Sequence, residues 1–212
     1  MVAISNETHL TTKQDMRRAL IERRNAIDPT NRSSRSAAIC TKVHTFLLNT
    51  FDHAAKRVAV YFAMNSEVDL MPLVKQLFRE GYSICYPLMV ALPDSKQMSF
   101  FEVSQADFEK ANGGVLNRQL HAFDQKELQG LEELQGLSLR EVEPTEIDAI
   151  VVPLVGFDEC GYRLGYGGGN YDQFLPKLRD DAAIVGVAFE EQRVCSVPRE
   201  AHDLKLPLII AG

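Results

Sequence analysis

The stretch DAIVVPLVGFDECGYRLGYGGGNYDQFLP, residues 148–176, decides the fold. Residues 148–155 are almost unbroken apolar, the pattern of a strand buried on both faces of a sheet. Five glycines then fall within nine residues, Gly161 to Gly169, and Asn170 opens a helical pattern expected to reach about residue 179. A buried strand that leads through a glycine loop into a helix belongs to an α/β sheet, whose ligands bind at the C-terminal ends of its parallel strands.

The same alternation recurs outward from this stretch. Residues 182–189 (AAIVGVAF) read as another buried strand and 207–212 (PLIIAG) as a short last one. On the N-terminal side, RVAVYFA (57–63), YSICYP (82–87) and MSFFEV (98–103) have the β-branched and aromatic content of strands. Thr12 and Asp15 form a capping-box pattern ahead of a helix at 13–27. Asp28-Pro29 opens a second helix to about Leu48, and Asp69 a third to about Glu80, where Gly81 stops it. Residues 1–11 read as a flexible tail, and 104–146, polar and acidic, as an excursion with one short helix inside a single domain. The sheet is therefore expected to be covered on both faces, with its informative loops after Phe62, Val155 and Phe189.

With 212 residues, 45% hydrophobic and 25% charged, the chain has the composition of a globular protein with a sizeable core. No apolar run approaches the ~20 residues of a membrane span. The first fifteen residues carry neither a basic nor an apolar signal region, so a cytoplasmic location is expected. The four cysteines show no C-x-x-C and the five histidines no zinc-type spacing. Residues 1–57 hold 10 basic against 5 acidic residues, a balance of +5, while the rest hold 13 against 24, a balance of −11. That distribution excludes bulk nucleic-acid binding and leaves a small anionic ligand for the basic arm.

The glycine loop is neither a Walker A loop nor a G-x-G-x-x-G fingerprint. Its physical logic is shared with both. Gly165, Gly167, Gly168 and Gly169 are free to take positive φ and aim N–H groups at an oxyanion. The helix from Asn170 adds its positive end, and Arg163 a bidentate phosphate donor. A long hairpin or crowded turn without ligand is the alternative. In the first helix, at about 100° per residue, Lys13, Arg17 and Arg24 fall near 300–340° on a scale set at Leu10, between apolar residues on either side. These cations either meet anions or run their stems along the core to water. Glu67, past the end of the first strand, is a ligand carboxylate or part of the Asp69 cap region. Asp172 and Asp203 are two hard oxygen ligands for Mg²⁺ or two solvated loop carboxylates. No serine elbow supports a hydrolase.

The pieces KQDMR, YFAMNSEVD, EIDAIVVPLVGFDECGYRLGYGGGNYD and AFEEQ with VPREAHD occur in this order from Lys13 to Leu206. Together they resemble the 5-formyltetrahydrofolate cyclo-ligase family, also called methenyltetrahydrofolate synthetases. The third piece is the specific one. The resemblance implies a three-layer α/β/α fold with a largely parallel sheet. It also implies ATP- and Mg²⁺-dependent closure of 5-formyltetrahydrofolate to 5,10-methenyltetrahydrofolate with release of ADP and phosphate, and leaves open whether the folate is polyglutamylated. By position, it implies nucleotide contacts from Lys13, Gln14, Asp15, Met16 and Arg17, and from Arg163, Leu164, Gly165, Tyr166, Gly167, Gly168, Gly169, Asn170 and Tyr171. The folate would meet Arg17, Phe62, Glu67 and Tyr171, and Mg²⁺ would meet Asp172 and Asp203. Lys13, Arg17 and Arg163 are the implied catalytic cations. Asn170 departs from the family pattern, which has an aromatic there. Two other readings remain open: a folate- or nucleotide-binding regulator without turnover, and an isomerase of sugar phosphates or a CoA-transferase-like enzyme.

Overall fold

In the computed structural model, which describes residues 12–51, 56–92, 95–110, 139–200 and 203–212, Thr12 closes the first turn of α1 (Lys13–Asn25). Its Oγ1 accepts from the Asp15 N–H at 3.1 Å. The expected tail at 1–11, the stretch 111–138 of the polar excursion, and His202 lie outside the described residues. Asp28 Oδ1 accepts from the N–H groups of Thr30 and Asn31 and caps α2 (Pro29–Thr50). Asp69 Oδ1 accepts from Met71 N–H at the start of α3 (Met71–Arg79), and Gly81 at φ +81° turns the chain away.

The strands are β1 (Arg57–Ala59), β2 (Ser83–Leu92), β3 (Ser95–Val103), β4 (Arg140–Val142), β5 (Ala149–Pro153), β6 (Gly156–Phe157), β7 (Arg163–Leu164), β8 (Ala183–Ala188) and β9 (Leu208–Ala211). β1 is shorter than its apolar run, because from Tyr61 the chain leaves the sheet. The Tyr61 hydroxyl donates to Val68 O at 2.9 Å and Asn65 takes φ +52°. β2 and β3 are longer than expected and form an antiparallel ribbon from Ile84↔Val103 to Leu92↔Ser95. β4 had no sequence signal. The short helix of the excursion is α4 (Gln105–Lys110). α5 (Asn170–Phe174) is five residues followed by a 3₁₀ turn, well short of residue 179. Pro176 has no N–H to continue the ladder.

Seven strands form one sheet in the order β4-β3-β2-β1-β5-β8-β9. β1, β2, β5, β8 and β9 run parallel, and β3 and β4 add an antiparallel edge. Side chains alternate between two cores as period 2 requires. Ala149 and Val151 join α2 and α3 on one face, while Ile150 and Val152 join Phe174 and Leu175 on the other. The result is the expected three-layer arrangement. A third cluster lies beyond the strand ends, where Met16 and Leu20 of α1 meet Val155, Leu164 and Val197. There α1 comes so close to the start of β6 that any side chain at Gly156 would overlap Leu20 Cδ1. Among the described residues, no helix is long and apolar enough to cross a membrane.

β1 pairs with β2 on one side and β5 on the other. The chain thus winds outward in both directions from the β1–β5 junction, and their C-terminal ends open the crevice in which α/β sheets bind ligands.

Candidate active site

Both loops at that crevice carry charge. After β1 the chain makes a turn in which Glu67 N–H donates to Met64 O at 3.1 Å and Met64 N–H donates to Glu67 Oε2 at 2.8 Å. Asn65 holds the left-handed position, which an asparagine tolerates better than most residues. The turn drives the Glu67 side chain inward, to 5% exposure. Its Oε1 is buried and has no hydrogen-bond partner, and the nearest guanidinium nitrogen, on Arg24, is 3.9 Å away. Burial raises the Glu67 pKa, against the opposing pull of the Met64 N–H, Arg24 and Tyr166. An ionised oxygen without a donor in such a place is costly. It is the one buried side-chain oxygen or nitrogen left unsatisfied among the described residues.

Glu67 lines a cleft of about 340 Å³ with Tyr61, Phe62, Leu70 and Tyr86 as apolar walls. Phe62 stacks on Tyr86 with ring centroids 3.9 Å apart and planes 10° from parallel. Met64 and Tyr166, two large apolar side chains left exposed, flank the turn.

The second loop begins as the hairpin that was the alternative reading: β6 and β7 pair antiparallel, Gly156↔Leu164 and Phe157↔Arg163. The glycine loop proper follows. Positive φ occurs at Gly161, Gly167 and Gly169, whereas Gly165 and Gly168, expected to share it, keep ordinary backbone. Gly167, at φ +103°, lets Arg17 lie against it: a Cβ at this position would stand only 3.4 Å from the guanidinium carbon. Arg17 Nε donates to Gly165 O at 2.7 Å. Its two terminal nitrogens bond no described residue and face the bare loop. α5 is too short to deliver the helix-end charge that a helix to residue 179 would have supplied.

Arg163 is buried at 7% exposure. Its two terminal nitrogens donate to Asp172 Oδ1 at 2.7 Å and to Leu204 O at 3.1 Å. The residue expected as a phosphate clamp thus knits β7 to α5 and to the last loop. Leu204 N–H also reaches Asp172 Oδ1, at 3.4 Å, so Asp172 and the neighbouring Asp203 are gathered at one place. Asp203 Oδ2 accepts from Lys13 Nζ at 2.6 Å, and Glu200 stands 3.2 Å from the same ammonium. Burial works against the charged Lys13, but these carboxylates outweigh it and raise its pKa.

The other positions implied by resemblance are distributed as follows. Gln14 is exposed, Asp15 sits in the Thr12 cap and pairs with Arg18, and Met16 enters the apolar cluster under α1. Leu164 is buried at 1% exposure, Gly168 and Gly169 lie at the surface end of the loop, and Tyr171 packs against the second core. Asn170 turns its amide toward Gly168. Burial raises the Tyr171 hydroxyl pKa, and the charge of Glu67 adds to it. Sequence reasoning missed Gln192. Its Oε1 accepts from Phe189 N–H at 2.8 Å and its Nε2 donates to Leu154 O at 2.6 Å, which ties the loop ends of β5 and β8 together. Only its place just after an apolar strand could have drawn attention to it.

For Mg²⁺, the described residues contain no group of three His, Cys, Asp or Glu side chains fit to hold a metal ion. A metal held by one or two carboxylates and completed by phosphates and water does not need such a group. Asp172 fits that pattern: Oδ1 is engaged, and Oδ2 makes no hydrogen bond among the described residues.

The chain matches the family described as 5-formyltetrahydrofolate cyclo-ligase over residues 9–212. A 5-formyltetrahydrofolate cyclo-ligase of Escherichia coli is 29% identical over 89% of this chain and 94% of its own. One from Haemophilus influenzae is 31% identical over 74% of this chain and 76% of its own. In structure, a 5,10-methenyltetrahydrofolate synthetase of Mycoplasma pneumoniae superimposes with a TM-score of 0.68 at 23% identity, over 93% of this chain and 97% of that one. The corresponding protein of Aquifex aeolicus gives 0.65 at 24% identity, over 94% and 89%. The two structural likenesses bear on the fold.

Proposed function

The chain belongs to the 5-formyltetrahydrofolate cyclo-ligase family, and from that premise we propose that it closes 5-formyltetrahydrofolate to 5,10-methenyltetrahydrofolate with ATP, releasing ADP and phosphate. The observation that carries the reading is the unpartnered Oε1 of Glu67, a residue that lines an aromatic-walled cleft and whose turn is tied to the glycine loop through Arg24 and Tyr166. A pterin edge offers N–H donors to such an oxygen, and its ring suits walls such as Phe62.

The formyl oxygen is a poor leaving group. It attacks the γ-phosphorus of ATP, the bond from that phosphorus to the bridging oxygen breaks, and ADP leaves. N10 of the folate then adds to the activated carbon and loses its proton to solvent. The C–O bond breaks, and the former formyl oxygen departs within inorganic phosphate. Catalysis in such a transfer is positioning and charge neutralisation. Arg17 supplies two open guanidinium nitrogens over Gly167, and the glycine loop admits phosphate close to its backbone. Lys13 brings positive charge beside Asp203, and Arg163 fixes Asp172. Tyr171 packs against the second core within range of the Glu67 and Arg163 charges. Asp172, with Asp203 near it, would hold Mg²⁺, which neutralises phosphate charge when bound. The polyglutamylated forms of the folate share this head group. The cytoplasm is the proposed location, in keeping with Cys40 and Cys85, which stand buried as free thiols.

An absorbance assay for methenyltetrahydrofolate, run with and without ATP and Mg²⁺, tests this directly. Product only when all components are present supports the cyclo-ligase. Tight binding of formylfolate with no product turns the reading to a regulator. Neither binding nor formylfolate-dependent ADP release favours the isomerase or transferase class.

A further inference from the structure

Of the three cations set in the apolar stripe of α1, the reaction above uses Lys13 and Arg17. Arg24 is the third, and it is the most deeply buried, at 1% exposure. A guanidinium so placed needs partners for its charge and its N–H groups. Its nearest carboxylate, Glu67, is at 3.9 Å, too far for a hydrogen bond. Its bonds go elsewhere: Nε donates to Ser66 Oγ at 3.0 Å, and one terminal nitrogen to the Tyr166 hydroxyl at 2.7 Å.

Ser66 precedes Glu67 in the turn after β1. Tyr166 stands between Gly165 and Gly167 in the glycine loop. One buried guanidinium therefore grips both loops of the crevice from beneath. The guanidinium carbon stands over the Tyr166 ring, 5.9 Å from its centroid, while the residue as a whole remains 44% exposed. The Arg24 charge and the Glu67 charge reach the Tyr166 hydroxyl together.

We propose that Arg24, acting through the Tyr166 hydroxyl and Ser66, is a positioning residue that fixes the glycine loop against the Glu67 turn. The phosphate donor and the formyl acceptor are thereby held at one separation and angle. This rests on the reading above of which ligand each loop takes. A small error in that separation acts on the transfer step, because orientation of two bound reactants enters the barrier directly. A merely structural Arg24 would act on stability alone.

The test uses the full chain with Tyr166→Phe, Arg24→Lys and the double variant. Each is followed by thermal unfolding and by methenylfolate formation with ATP and formylfolate varied separately. Tyr166→Phe removes one hydroxyl from a half-exposed ring, so the fold is kept even if Arg24→Lys proves unstable. The expected result is a fall in kcat of about tenfold for Tyr166→Phe, the scale of a lost charge-assisted hydrogen bond, with each KM within about threefold of wild type. Arg24→Lys gives a similar fall, and the double variant is no worse than the worse single one. Wild-type kcat in a folded Tyr166→Phe protein overturns the inference, and so do losses that multiply in the double variant. A wild-type protein that makes no methenylfolate overturns the reading beneath it. An active wild type that Tyr166→Phe matches overturns the inference alone.

Discussion

The two loops of the crevice treat charge in opposite ways. In the glycine-loop region two of the three cations are matched before any ligand arrives, Lys13 with Asp203 at 2.6 Å and Arg163 with Asp172 at 2.7 Å, and Arg17 alone keeps open nitrogens among the described residues. In the turn after β1, a buried carboxylate holds one oxygen without a donor, and burial has already raised its pKa. The first region can stand empty at little electrostatic cost, and on the proposed reading it would exchange its pairs when a polyanion and its metal enter. The second is destabilised until a ligand brings an N–H to it. The two proposed ligands, a highly charged co-substrate and a weakly polar head group, would call for these two solutions.

The largest effect expected from breaking the comparison is at Arg163. Arg163→Ala leaves Asp172 without its ion pair and Leu204 O without a donor, so the loss extends to stability. About 2 kcal/mol is the scale for losing a charge-assisted hydrogen bond to a partly buried partner, read by urea unfolding, and ATP-dependent turnover should fall with it. An unfolding midpoint equal to wild type would mean that the pair contributes nothing to holding α5 and the last loop.

Next in size is the separation of ligands between the loops. Glu67→Gln should raise KM for formylfolate by about tenfold, since the orphan oxygen is the proposed acceptor, and leave the Mg²⁺ concentration for half-activity unchanged. Asp172→Asn should raise that Mg²⁺ concentration and act little on KM for formylfolate. If the two variants exchange these phenotypes, the metal and the folate have been assigned to the wrong loops.

A smaller effect sharpens the electrostatic side. Glu67 has its folded pKa raised, so the native state binds the proton better than the unfolded chain, whose value is near 4.5. The cost of its charge is fully present above the folded pKa, fades as pH falls through it, and is gone below 4.5. Glu67→Gln should therefore raise Tm at pH 7.5, by about 2 °C, with the gain vanishing toward pH 4.5. A Tm that falls at pH 7.5 would show that the attraction of Arg24 outweighs the burial of the carboxylate. The smallest effect is at Asn65, where φ is +52°. Asn65→Gly keeps that conformation available and should alter stability by less than about 1 kcal/mol, with turnover unchanged.

Much of this arrangement is legible in the sequence, unevenly. The apolar run at 148–155 and the Asp28-Pro29 start declare themselves, because burial on both faces and capping are written in residue type. β4 is not legible, since Arg140–Val142 is polar and owes its pairing to β3. The early end of α5 is written at Pro176, although the helical pattern runs on past it. The helical angle of Arg24 places it in the apolar stripe, but no local pattern could say that its partners would be Ser66 and Tyr166, 42 and 142 residues away. Which glycines take positive φ is likewise a product of what packs on the loop, here Arg17. The orphan oxygen of Glu67 is a property of tertiary burial, invisible in a turn that reads equally well as a helix cap.

The central claim is that the loop ligand is attacked by an oxygen of the ligand held at Glu67. Following that oxygen tests it most directly. With the formyl oxygen of 5-formyltetrahydrofolate labelled with ¹⁸O, turnover in unlabelled water with ATP and Mg²⁺ should place the label in the inorganic phosphate released, one atom for each methenylfolate formed. Methenylfolate formed with unlabelled phosphate would contradict it, because the formyl oxygen would then have left without ever being phosphorylated.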